Sequence, residues 1–263
     1  MSMTNDICEI ISRHIQKPRY ELLDWINIDK LDIENISSNP NAIKIIIENQ
    51  DKINWDLLSA NPAAIELLQE NQDKINWKIL STNTAAIDIL RENQDKIDWD
   101  SLSTNTAAIE LLKQNPDKIN WGLLSTNEKA IELLKENPDK IYWKWFSKNN
   151  NAIKILLNNK EKINWELLSF NDGAIDYLRE NQNKIDWKWL SLNPNAIELL
   201  SNNQDKINWN ILSLNEGAIE LLSNNQDKIN WRWLSSNPSI FKKIYDNDDK
   251  KIIQRTLEII LTK

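Results

Sequence analysis

Apolar and polar positions recur along this chain with a fixed period of twenty-two residues. In the stretch 61–82, numbered 1 to 22 from Asn61, apolar side chains fall at positions 4, 5, 7 and 8, then at 15, 17 and 20. The first group lies on one side of a helix, and the 17/20 spacing suits one or two turns of α or 3₁₀ helix. Asparagine at position 1, followed by Pro, Thr, Glu or Asp, predicts a helix start at position 2. Its side chain accepts from orphan backbone donors, and Pro40, Pro62, Pro194 and Pro238 fit the first helical position. Asparagine at position 11 predicts a left-handed C-cap that ends this helix A near position 10. Positions 12–15 then form a tight connection. Asn or Asp at position 16, replaced once by Tyr142, caps a short helix B that reads Trp-x-x-Leu-Ser.

Full copies begin at Asn39, 61, 83, 105, 127, 149, 171, 193 and 215, and a tenth opens at Asn237 and then degrades. Position 17 is tryptophan in all nine: Trp55, Trp77, Trp99, Trp121, Trp143, Trp165, Trp187, Trp209 and Trp231. Self-similarity of this kind predicts an all-α solenoid of helix-turn-short-helix repeats with irregular terminal caps. A leucine-rich horseshoe has a similar period, but it needs an inward apolar residue at position 18. That place holds Asp56, Lys78, Asp100, Gly122, Lys144, Glu166, Lys188, Asn210 and Arg232. Three stretches follow: an N-terminal helical cap over 1–38, nine repeats over 39–236, and a partial tenth repeat with a C-terminal capping helix over 237–263. The first cap has helical spacing at Ile7, Ile10, Ile11 and Ile15 and a second short helix over Arg19 to Ile26. Within that cap Ile33 holds the tryptophan register, and Ile36-Ser37 matches positions 20 and 21. The last has an amphipathic helix over Lys251 to Leu261.

One unit has too few apolar side chains to offset an ordering cost of about 1.5 kcal/mol per residue, so stacking is obligatory. The recurring indoles are expected to form the structural core, each removing about 150–250 Å² from water. Helices spaced roughly 8–10 Å apart give a rod or superhelix of undetermined curvature, on the order of 90 Å long. Local capping is the expected role of the asparagines at positions 1 and 11, with bonds from copy to copy as the alternative.

Composition narrows the function. The net charge of -7 works against phosphate backbones and anionic lipid, so proteins are expected as partners before nucleic acid. Cys8 is the single cysteine, no apolar run approaches a membrane span, and Met1 to Pro18 lacks a signal-peptide core, so an intracellular setting is expected. The repeats contain no His, Cys or glycine-rich phosphate loop, and their carboxylates form rows rather than a tuned pair. No enzyme, cofactor, metal site or small-molecule substrate is therefore expected. Cys8 and His14 are read as incidental cap residues.

Two rows are candidate partner surfaces. Position 19 varies, and its tryptophans Trp145, Trp189 and Trp233 stand two units apart, either as an aromatic strip or as better local packing of helix B. Position 6 gives an acidic row of Glu66, Asp88, Glu110, Glu132, Asp176, Glu198 and Glu220, either a solvated helix face or a dock for a basic protein or a second copy. A nucleotide-stacking role for the position 17 indoles is disfavoured, because modular readers vary at the contacting position and this one does not.

The signature Asn-Pro-x-Ala-Ile-x-Leu-Leu-x-x-Asn-x-Asp-Lys-Ile-Asn-Trp-x-x-Leu-Ser, from Asn39 to about Asn247, resembles tandem repeats of giant DNA viruses of the mimivirus-like group. In architecture the unit is similar to leucine-rich-repeat variant solenoids, which alternate α and 3₁₀ helices. The resemblance implies a host-cytoplasmic or virion setting. The expected function is a noncatalytic scaffold for protein–protein interaction, with a self-assembling structural component as the alternative.

Overall fold

The structure, a computed structural model, describes residues 19–244. Within these the chain is an all-α repeat solenoid apart from one short strand pair. The copy that starts at Asn83 is representative. The Asn83 side chain accepts from the Ala85 N–H at 3.0 Å and opens a 3₁₀ turn, Thr84–Ala86, that runs into helix A at Ile87–Glu92. A second 3₁₀ turn, Gln94–Lys96, leads to Asp98, whose carboxylate accepts from the Ser101 N–H at 2.8 Å and caps helix B, Trp99–Thr104. Tyr142 has no such oxygen, and its helix B starts without a side-chain cap.

Position 11 ends helix A by a different device from the left-handed turn expected. Asn93 sits at φ -127°, ψ 51°, and its amide reaches back to donate to the Ile89 carbonyl at 2.9 Å. No described residue has a positive φ. The side chain therefore satisfies an orphan carbonyl that glycine would have left to the backbone.

The sealed core consists of small and branched side chains. Ala86, Leu90 and Leu80, at positions 4, 8 and 20, are fully buried, and the same positions are buried throughout the repeats. The tryptophans, expected as the core, are half-buried in all nine units. Each presents a ring face to the position 14 lysine of the following unit, with the ammonium 4.1 Å from the centroid at Trp143 and 4.9 Å at Trp231. An amphipathic indole and a lysine stem together make a wall that excludes water from the leucines while the charge stays solvated.

Buried polar groups join the units. Asn105 Nδ2 donates to the carbonyls of Ser81 and Asn83, both at 3.0 Å. The Ser81 hydroxyl donates to the Trp77 carbonyl at 2.7 Å and accepts from the Asp98 N–H at 3.1 Å. Position 1 asparagine thus caps locally and also bonds from copy to copy, whereas position 11 bonds only within its own copy. Among the described residues no buried side-chain polar atom lacks a partner.

The same ladder closes on itself. Asn39 Nδ2 donates to the carbonyls of Ser235 and Asn237 at 3.0 Å, the bonds every other position 1 asparagine makes to the position 21 serine and position 1 asparagine before it. The Asp32 N–H donates to Ser235 Oγ at 2.8 Å, and Lys30 covers Trp231, each repeating an internal contact. The repeats therefore form a closed ring of ten positions, which fixes the curvature that the expected rod or superhelix left undetermined. Its tenth unit is split: the residues from Asn237 supply positions 1–3, and Asn27–Ser38 supply positions 11–22. Among the described residues that unit has no helix A, and the strand Phe241–Ile244 follows in its place.

The compact ring body is accordingly Asn27–Ser239, which holds the nine repeats of 39–236, and residues 27–38 and 237–239, expected as parts of the terminal caps, join its ends. A second unit contains the described residues 19–26 and 240–244. Here strand β1 (Arg19–Leu22) pairs antiparallel with β2 (Phe241–Ile244), in the register Arg19↔Ile244 to Leu22↔Phe241. Arg19–Leu22 was expected to be helical. Its exposure alternates residue by residue, so the short run follows period two once it has a partner strand. Lys242 pairs with Asp24 at 2.7 Å, which lowers the Asp24 pKa and raises that of Lys242. The helices expected over 6–16 and 251–261, and Cys8 and His14, lie outside the described residues.

Candidate interaction surface on the ring

Positions 19 and 22 stand three apart, position 22 at the end of helix B or in the turn that follows it. In the copies from Asn61 to Thr126, position 22 is threonine, and each hydroxyl is spent on its own helix: Thr82, Thr104 and Thr126 each donate to the carbonyl three residues back at 2.8 Å. The next four copies hold Lys148, Phe170, Leu192 and Leu214 there, and the surface changes character.

Two adjoining hollows result. One, of about 240 Å³, is lined by Lys144, Trp145, Lys148, Glu166, Leu167, Phe170 and Trp189. Its neighbour, of about 420 Å³, shares Phe170 and continues over Asp172, Leu192, Pro194, Leu214 and Glu216. Phe170 meets Trp189 edge to face at 6.5 Å, and Trp189 Nε1 donates to Glu166 at 3.1 Å. Lys148 Nζ stands 4.5 Å over the Phe170 ring, and burial lowers its pKa. Trp145 is among the most exposed large apolar residues described, at 37 %.

The structure brings two of the three additional tryptophans together. Trp145 and Trp189 face one hollow across Leu167, whereas Trp233 is half-buried and lines neither. The position 22 residues escaped the sequence reading, although their change from threonine to lysine, phenylalanine and leucine was visible in it.

The acidic row of position 6 is exposed from Glu66 to Glu220 and laced with ion pairs along its own helices. Arg91 holds Asp88 at 3.1 Å, Lys113 holds Glu110 at 3.0 Å, Lys135 holds Glu132 at 2.8 Å, and Arg179 reaches both Asp176 and Glu198. Pairs this exposed contribute little stability and leave a solvated face. A separate polar cluster occupies position 2, where Asn150 Nδ2 donates to Glu128 at 2.8 Å and to Asp172 at 3.2 Å. Burial, and then the Glu128 charge, raise the Asp172 pKa.

Among the described residues no helix is long and apolar enough to cross a membrane. The fold and surface together define a closed, tryptophan-rich α-solenoid. No protein-family model, curated protein or solved structure matches the chain.

Proposed function

We propose that this ring is a noncatalytic scaffold that binds a protein partner over the arc from Trp145 to Leu214. One observation carries the proposal: the buried positions repeat unit after unit, while position 22, threonine in the three preceding copies, becomes Lys148, Phe170, Leu192 and Leu214 in one arc, beside Trp145 and Trp189 of position 19. Exposed apolar clusters rimmed by charge are where protein partners dock. The acidic row, already paired, is a weaker candidate, and a net charge of -7 disfavours nucleic acid. An intracellular site of action, in host cytoplasm or virion, fits the single cysteine and the viral resemblance.

Self-association through the same arc is the alternative, favoured by the presence of lysines and carboxylates on one surface. A repeat stack closed on itself offers no free end for fibre growth by stacking. The test is a triple variant that gives the arc the residues of other copies: Trp145→Leu, Phe170→Thr and Trp189→Leu. The scaffold account predicts that proteins captured from native lysate by the parent chain are lost with the variant. Identical captures would overturn it, and sedimentation of both chains separates partner binding from self-association.

A further inference from the structure

The smaller hollow contains an unusual cation. Lys148 is half-buried, its ammonium rests on an aromatic face, and no described carboxylate lies within ion-pair distance of it. The one carboxylate in the hollow, Glu166, is engaged by the Trp189 indole at 3.1 Å. Lys144 lines the same hollow, and Lys188 Nζ stands 5.3 Å from the Trp189 ring. On a chain with net charge -7, this is a local excess of positive charge over apolar walls.

Resting on the scaffold reading above, we propose that the hollow between Trp145, Phe170 and Trp189 receives an acidic side chain of the protein partner, with an apolar side chain beside it. The carboxylate pairs with Lys148, and the apolar group packs on the Phe170 and Trp189 rings. Three features argue for this occupant. An opposite charge restores what burial takes from the Lys148 ammonium, a carboxylate is the protein group that supplies it, and the walls accept carbon rather than water. A basic segment would meet Lys144 and Lys148 in the lining. The larger hollow, with Asp172 and Glu216 at its rim, has no such cation and carries no separate proposal.

The test uses two defined peptides, acetyl-Glu-Phe-amide and acetyl-Gln-Phe-amide, titrated into the full chain while the indole N–H resonances are followed. The Glu peptide is expected to move the Trp145 and Trp189 resonances and to bind about fivefold tighter than the Gln peptide, the upper end for a pair that keeps some solvent. Lys148→Thr, which places the residue of other copies at this position, is expected to abolish the preference, and Lys148→Arg to keep it. The unaffected indole resonances report that each variant is folded. Equal binding of the two peptides, a preference that survives Lys148→Thr, or the absence of any shift at Trp145 and Trp189 would overturn the proposal. Lysate capture that fails while the peptide preference stands would remove the scaffold reading and leave this chemistry intact.

Discussion

Followed position by position around the ring, nine neighbouring pairs are joined through the chain and one pair is not, because the break falls inside the split unit. At the covalent junctions the asparagine ladder, the serine hydroxyl of position 21 and the lysine-over-tryptophan contact recur. At the seam the same ladder bonds link Asn39 to Asn237, the same hydroxyl serves Asp32, and Lys30 covers Trp231. Asn41 Nδ2 donates to the Pro238 carbonyl at 2.9 Å, as Asn151 and Asn195 do to the carbonyls of Glu128 and Asp172 inside the array. Arg232 meets Asp32 at 3.8 Å, joining the positions 18 and 16 that Asp56 with Asn76, Asp100 with Asn120 and Asn210 with Asn230 join inside the array. One contact is extra, Ser236 Oγ to the Asn35 carbonyl at 3.1 Å. Beside the seam, at a junction that the chain does cross, Ile33 stands at position 17 and leaves Lys52 no indole. Closure is therefore the repeat interface used once more between the two ends of the repeat array.

Substitutions made in pairs, one at the seam and one opposite, test that equivalence. The largest effect is expected in the core. Leu124→Ala removes a fully buried side chain and should cost about 2–5 kcal/mol, and Ile36→Ala, at the same position beside the seam, should cost a similar amount in denaturant unfolding. Next are the ladder amides. Asn127→Ala leaves the buried Ser103 carbonyl without the amide donor and the Asn105 carbonyl with only the Ala108 N–H, and Asn39→Ala removes the matching bonds to Ser235 and Asn237. Each should lose roughly 1–3 kcal/mol per unsatisfied group. A silent Asn39→Ala beside a damaging Asn127→Ala would mean that the ends do not meet.

Smaller still is the gain from Ile33→Trp, which restores the missing indole beneath Lys52 and should add about 0.5–1 kcal/mol to the unfolding free energy. Weakest are the pH effects, and they differ in sign. Burial alone would raise the Asp32 pKa, but hydrogen bonds from Asn35 and the Arg232 charge lower it. Its contribution is present above the ordinary Asp range and is lost as pH falls through its depressed folded value. Asp172 is raised, so its charge weighs against the fold as pH rises through and above the ordinary range. In unfolding followed against pH, Asp32→Asn should flatten the acid limb. Asp172→Asn should stabilise at neutral pH, with the benefit disappearing in acid.

The unit itself was legible in the sequence because its determinants are local. Apolar spacing at 4, 5, 7 and 8, the cap at position 16 and the aligned leucine at 20 each act within one or two turns. Closure was not legible, since it depends on a small rotation per unit that packing sets and ten units sum. One trace of it was present: Lys30, Ile33 and Ile36-Ser37 keep the register of a second half-unit, and Asn237-Pro238 opens the matching first half. The half-burial of the tryptophans was hidden because hydrophobicity alone does not distinguish a core side chain from a wall braced by lysine. The interaction arc was half legible, since position 19 drew notice through its tryptophans and position 22 varied without an obvious motif.

The central claim is that the ends of the repeat array meet as neighbouring units do. Spin labels on Glu34 and Arg232, both at position 18 on either side of the seam, measure this directly against labels on Lys78 and Asp100, which occupy position 18 in adjoining units. A closed ring predicts the same short distance for both pairs, one helix spacing of roughly 8–10 Å plus the label arms. A seam pair several times farther apart than the internal pair would contradict closure.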